Sequence, residues 1–163
     1  MKLRLSIVVL LFSISACGEK PAEETIETEQ MATAAEAAVS KPPQIPRTAS
    51  NEGASVFFIT PADGATVTNP ISVEFGIAGM DVVKAGNNQP NSGHHHLLID
   101  TELPDFGLPI PADKHHIHFG DGSVSTQITL PPGEHKLQMI LGDHLHIPHN
   151  PPLISAQITI MVE

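Results

Sequence analysis

From residue 53 onward, apolar and polar positions alternate with a period of two, the pattern of strands with one buried face. Ile71, Val73, Phe75 and Ile77 alternate with Ser72, Glu74, Gly76 and Ala78. Val124, Thr126, Ile128 and Leu130 repeat the pattern, as do Leu137, Met139 and Leu141 against Lys136, Gln138 and Ile140. Ile154, Ala156, Ile158, Ile160 and Val162 close the chain, and residues 56–60 and 95–100 bring the total to about six strands. Turn residues separate them at Pro61-Ala62-Asp63-Gly64 and Pro131-Pro132-Gly133-Glu134. No helical period shows past Gly53. The pattern predicts an all-β domain over residues 53–163, an immunoglobulin-like antiparallel β-sandwich. The likeness is one of architecture, because Trp and Tyr are absent and with them the core tryptophan and tyrosine corner of antibody domains.

The short turn at 131–134 predicts that the strands on either side of it, 124–130 and 135–142, pair as an antiparallel hairpin. The segment 102–123 is long enough for one short returning strand. With that strand, 95–100 runs in the same direction as 124–130.

Before residue 53 the alternation is missing. Lys2 and Arg4 precede a nearly unbroken apolar run from Leu5 to Ile14, the length of a signal-peptide core and too short to span a bilayer. Ile14-Ser15-Ala16-Cys17 resembles the lipobox of bacterial lipoproteins, which implies a signal peptide over residues 1–16 and an acylated Cys17 at the mature N-terminus. Each buried acyl methylene contributes about 0.8 kcal/mol, so several chains hold a protein on the bilayer durably. Gly18 follows the cysteine where inner-membrane retention would call for aspartate. The resemblance therefore points to the envelope of the cell, and to the periplasmic face of the outer membrane in a Gram-negative host. Residues 17–52, rich in Glu, Ala, Thr and Pro, read as a flexible acidic tether.

Composition narrows the chemistry. Cys17 is the only cysteine, so the domain has neither a disulfide nor a thiolate ligand. The formal charge is −10, and falls to about −12 when Lys2 and Arg4 leave with the signal. Such a chain repels nucleic acid and anionic headgroups. Beyond Gly53 there is no arginine, which removes the usual clamp for phosphate or carboxylate substrates.

All 10 histidines lie between His94 and His149. Three groups, His94-His95-His96, His115-His116-Ile117-His118 and His144-Leu145-His146-Ile147-Pro148-His149, each contain a His-x-His. On an extended backbone residues i and i+2 point to the same side, so such a pair can meet one metal ion. The predicted topology gathers the three groups at one end of the sandwich. The candidate ligands are His94, His96, His116, His118, His144, His146 and His149, with Asp100 and Asp143 as acceptors that orient imidazoles. His135 belongs at the opposite end and Met139 in the core. His95 shares a face with Leu97 and Ile99 and reads as partly buried and structural. Imidazoles without thiolate suit Cu(II) or Zn(II), with Ni(II) a third fit. Since the ligands must be neutral, affinity is expected to fall below about pH 6.

Gly93-His94-His95-His96-Leu97-Leu98-Ile99-Asp100, His116-Ile117-His118-Phe119-Gly120, Leu130-Pro131-Pro132-Gly133-Glu134-His135, and Leu141-Gly142-Asp143 through His146-Ile147-Pro148-His149-Asn150-Pro151-Pro152 together resemble the bacterial family described as domain of unknown function 4399. The resemblance covers most of residues 54–163 and implies an exported, sandwich-like domain without implying an activity. Asp121 stands where that family is more glycine-rich, which speaks against a ligand role for it. Two kinds of function follow. The first is an envelope module that binds a transition metal for buffering, delivery or sensing. The second is a scaffold or adhesion module whose histidines only hydrogen-bond loop carbonyls. A metalloenzyme such as a copper dismutase fits less well, given the missing disulfide and arginine. Gly-x-Ser-x-Gly elbows, paired catalytic carboxylates and phosphate loops are absent.

Overall fold

The computed structural model describes residues 45–163. The expected signal peptide (1–16), Cys17 and the expected tether up to residue 44 lie outside the described residues. Within them the chain is all-β, with strands β1 (Ser55–Thr60), β2 (Thr66–Val67), β3 (Ile71–Ala78), β4 (Asp81–Val82), β5 (Ser92–Ile99), β6 (His116–His118), β7 (Ser125–Ile128), β8 (Gly133–Gly142) and β9 (Ile158–Val162). Among the described residues no helix is long and apolar enough to cross a membrane.

The strands form two sheets. One has the order β1-β3-β7, and the other runs β2-β9-β8-β5-β4 with β6 also on β5. Pairing is antiparallel except for two short parallel edge contacts, β2 with β9 and β4 with β5. Alternation in sequence becomes a shared core. Val56 from β1 and Ile71, Val73 and Phe75 from β3 face Leu97 and Ile99 from β5, Leu137, Met139 and Leu141 from β8, and Ile158, Ile160 and Val162 from β9. The polar partners Ser72 and Glu74 of β3 stay exposed.

The expected hairpin does not form. β7 pairs with β3 in the smaller sheet, whereas β8 lies between β5 and β9 in the larger one. The Asn69 side chain takes both backbone groups of Leu130, donating to its carbonyl at 2.8 Å and accepting from its amide at 3.1 Å, and so fixes the end of β7 beside the start of β3. The returning strand expected within 102–123 is β6, antiparallel to β5 with His96 opposite His118.

β5 departs most from a half-buried strand, because all eight of its residues are buried. One face (His95, Leu97, Ile99) enters the sandwich core. The other (His94, His96, Leu98) is covered by the connections before β6 and after β8. Phe106, Ile110 and Ile154 pack there on Leu98 and Ile140, and the Ile110 amide donates to the His146 carbonyl at 2.8 Å. Ile140, expected on a polar face, is fully buried for this reason.

Folded contacts also begin before residue 53. The Asn150 amide donates to the Thr48 carbonyl at 2.8 Å, the Ser50 amide donates to Asn150 at 3.2 Å, and Ala49 and Asn150 form a parallel bridge. Residues 47–51 therefore belong to the domain and not to a free tether.

Leu97 is fully buried at the centre of β5. Truncating it, Leu97→Ala, is expected to lower unfolding free energy by about 2–5 kcal/mol in urea denaturation, and an unchanged midpoint would contradict the central position of β5.

Candidate metal centre

Four of the seven candidate ligands converge on the outer face of the larger sheet. His94 and His96 stand two apart on β5, and His118 on β6 lies directly opposite His96. His146 arrives from the turn after β8. Ring centres are 4.9 Å apart for His94 and His96, 4.9 Å for His94 and His118, and 4.9 Å for His94 and His146. The remaining separations are 5.0 Å for His96 and His118, 6.0 Å for His96 and His146, and 4.7 Å for His118 and His146. One nitrogen from each of His94, His96 and His118 lies within 4.8 Å of the others. His94 and His96 are sealed from solvent, while His118 forms the exposed edge of the group.

Two glycines make room for the rings. A Cβ on Gly142, across the ladder from His94, would come within 2.8 Å of His96 Cε1, and one on Gly120 would come within 2.3 Å of His118 Cε1. Neither glycine stands out by sequence reasoning. The only cue was that each lies within four residues of a candidate histidine.

The turn that carries His146 is built by Asp143, which is 1% exposed. Its Oδ1 accepts from the amides of Leu145 at 2.9 Å and Ile147 at 3.0 Å, and its Oδ2 accepts from the Thr48 hydroxyl at 2.7 Å. Burial works to raise the carboxyl's pKa, but these hydrogen bonds outweigh it and hold the group below its ordinary range. His146 has φ of 67°, a left-handed conformation costing roughly 1–2 kcal/mol for an L-residue. The Asp143 turn holds it there, with the His146 amide on the Asp143 carbonyl at 2.9 Å. Asp143 thus shapes the backbone that carries His146, whereas the sequence points to it as an acceptor for imidazole.

The other candidates are placed elsewhere. His116 lies on the same strand face as His118, but its Nδ1 bonds to Asp113 at 2.9 Å. His149 is buried and donates from Nε2 to the Ser92 carbonyl at 3.1 Å, tying the last loop to β5. His144 is half-buried at the turn and lies outside the four close rings. Asp100 is at the far end of β5, where its Oδ2 pairs with His135 Nδ1 at 2.7 Å. It does not orient the four imidazoles. His135 is at that far end as expected.

Burial dominates the electrostatics. Desolvation, followed by repulsion from His146 and His118, lowers His94 to about 4. Desolvation, followed by repulsion from His94, His118 and His146, lowers His96 to about 2. His118 is lowered as well, first by desolvation and then by His146. These rings are neutral near pH 7, the state a metal requires. Both nitrogens of His94 and Nδ1 of His96 are buried without a hydrogen-bond partner. Each such group costs about 1–3 kcal/mol when left unsatisfied. His95, on the core face against Phe75 at 5.2 Å, also has both nitrogens unpartnered and is lowered by desolvation to about 4.

A family model described as Domain of unknown function (DUF4399) matches residues 73–163, more than half of the chain. No curated protein and no solved structure matches it.

Three buried rings with lowered pKa values make stability fall on acidification. Above about pH 6.5 both folded and unfolded chains hold them neutral and they contribute no slope. Below it the unfolded chain takes up protons that His94, His95 and His96 refuse until about pH 4 or lower. His135, raised by its hydrogen bond to Asp100, works in the opposite direction, but as a single pair with a partly exposed carboxylate. The melting temperature of the metal-free chain is therefore expected to drop steadily from pH 7 to pH 4.5, and a flat profile over that range would contradict the burial of these rings.

Proposed function

The chain belongs to the family described as Domain of unknown function (DUF4399), and we propose that it is an envelope protein that binds one Cu(II) or Zn(II) ion through His94, His96, His118 and His146. The observation that carries this reading is the convergence of imidazoles whose buried nitrogens have no other partner. Packed rings alone settle at centre separations of roughly 4.5–7 Å. His149 and His115 point nitrogens at carbonyls, and His95 is buried without a partner on the core face; what sets His94 and His96 apart from both is that His118 and His146 join them on one face. Four imidazoles around a tetrahedral ion, with metal–nitrogen bonds of about 2.0–2.1 Å, have ring centres about 5 Å apart. The six separations here, from 4.7 to 6.0 Å, are of that size; His94, His96 and His118 already bring nitrogens within 4.8 Å of one another, and His146 would have to turn inward to complete the set.

An all-nitrogen, borderline-soft donor set favours late first-row ions over magnesium or calcium, which prefer oxygen. Negative formal charge over the chain raises the local cation concentration. Anchored by an acylated Cys17, the domain would hold its ion at the membrane surface for buffering, delivery or sensing.

Equilibrium dialysis of the untagged full chain against Cu(II) and Zn(II) at pH 7.5 is expected to give one ion per chain at sub-micromolar concentration. His118→Ala, at the exposed edge of the group, is expected to weaken binding by at least about 10-fold while the chain stays folded. Absence of stoichiometric binding above micromolar affinity would sink the reading. Cell fractionation addresses the anchor separately: the chain is expected with membranes and to incorporate labelled fatty acid, and Cys17→Ser to do neither.

A further inference from the structure

We propose that the segment Arg47–Ser50 is a strap belonging to the metal site, one that positions His146 and is tightened in turn when the ion binds. The inference rests on the metal-binding reading above and adds a positioning role that none of the histidines reveals.

The two oxygens of the buried Asp143 carboxylate are divided between two pieces of chain. Oδ1 serves the turn, through the amides of Leu145 and Ile147, and Oδ2 takes the Thr48 hydroxyl at 2.7 Å. His146 sits inside that turn with its left-handed backbone and its ring 4.7 Å from His118 and 4.9 Å from His94. Around Thr48 the strap is pinned along its length. Arg47 Nε donates to the Pro148 carbonyl at 2.8 Å and its Nη2 donates to the His149 carbonyl. The Asn150 amide reaches the Thr48 carbonyl at 2.8 Å, and the Ser50 hydroxyl reaches the Pro151 carbonyl at 2.9 Å. The Arg47 guanidinium also lies 5.5 Å from the centre of the Phe106 ring, on the other segment covering β5. Every residue from Pro148 to Pro151 in the loop after His146 is thus held either by the strap or by β5. Removing the Thr48 hydroxyl would leave a buried carboxylate oxygen without a partner, and the turn would relax to find one. His146 is the ligand that would move with it.

Coupling of this kind is reciprocal. An ion that favours the ordered position of His146 favours the Asp143 turn, and with it the bonds to the strap. Metal occupancy would then be felt in residues 47–50, where the folded domain meets the N-terminal part of the chain.

The test uses the full chain with Zn(II) and Cu(II). Thr48→Val, which keeps the shape and removes the hydroxyl, is expected to weaken Zn(II) binding roughly 10-fold, the usual scale for a group that orients a ligand from behind. It is also expected to change the visible and paramagnetic resonance spectra of the Cu(II) form. Thr48→Ser is expected to restore both. In the wild-type chain, Zn(II) is expected to slow hydrogen exchange at the Ser50 and Asn150 amides, and in His146→Ala it is not. If Thr48→Val binds as the wild type does and exchange at those amides ignores Zn(II), while His118→Ala loses binding, the strap is overturned and the metal site stands. If His118→Ala also binds as the wild type does, the metal reading fails and takes the strap with it.

Discussion

The structure turns on one strand that has no solvent-facing side. β5 carries three consecutive histidines, and with both of its faces buried their imidazoles are forced to opposite sides of the sheet with no water on either. Charged imidazole is excluded from both places by desolvation, as the lowered pKa values of His94, His95 and His96 show. Burying neutral imidazole without a partner is costly. A sequence that places two such rings under a cover of loops therefore needs something to repay the cost, and the two rings on the outer face, unlike His95, are joined there by others.

The cover is organised around the same need. A six-stranded sheet of this kind could leave its outer face to solvent, with polar residues on alternate positions. Here the connections before β6 and following β8 are laid over it instead, closed by Phe106, Ile110 and Ile154 on Leu98 and Ile140. The hydrogen bond between Ile110 and the His146 carbonyl joins the two covering segments beside the imidazoles. The left-handed residue His146 is held by a carboxylate that is itself removed from water. Backbone strain that persists against its own cost is most often found where surrounding structure holds a side chain in place for function.

Period-two alternation was enough to read the all-β class and most of the strand positions, because one-faced strands such as β3 obey it closely. It could not reveal that β5 and β8 are covered on both sides, since a buried Ile140 and an exposed one look alike in sequence. The pairing of β7 escapes a local reading, because a short turn suggests a hairpin while Asn69, whose capture of Leu130 links residues far apart in the chain, holds the end of β7 beside β3. His94 and His96 meet as the His-x-His spacing of an extended strand requires, whereas His118 and His146 join them without their own His-x-His partners, and not by way of the expected hairpin between β7 and β8. β6 brings His118 there by pairing directly with β5. His116 and His144 share the same spacing yet go elsewhere, as does His149, three residues past His146. A neighbouring Asp113 captures the first, and a backbone carbonyl of β5 holds the last. Spacing specifies which side a ring leaves the backbone, and local acceptors decide where it ends.

Coordination number separates the kinds of chemistry such a cluster can support. Catalytic zinc sites keep a position open for water or substrate, typically by using three protein ligands, whereas four protein ligands close the shell. His94, His96 and His118 alone would leave that position free. In the proposed site His146, whose ring lies within 6.0 Å of all three although the close nitrogens belong to the other three, would be the group to fill it. A ligand held on a strained turn at the edge of the site is also the easiest to withdraw, because leaving relieves the strain. A closed shell with one releasable member suits holding an ion and passing it on better than it suits turnover. In that arrangement exchange would be governed by the Asp143 turn and not by the rigid strands, and the two imidazoles of β5 would remain as the fixed half of the site.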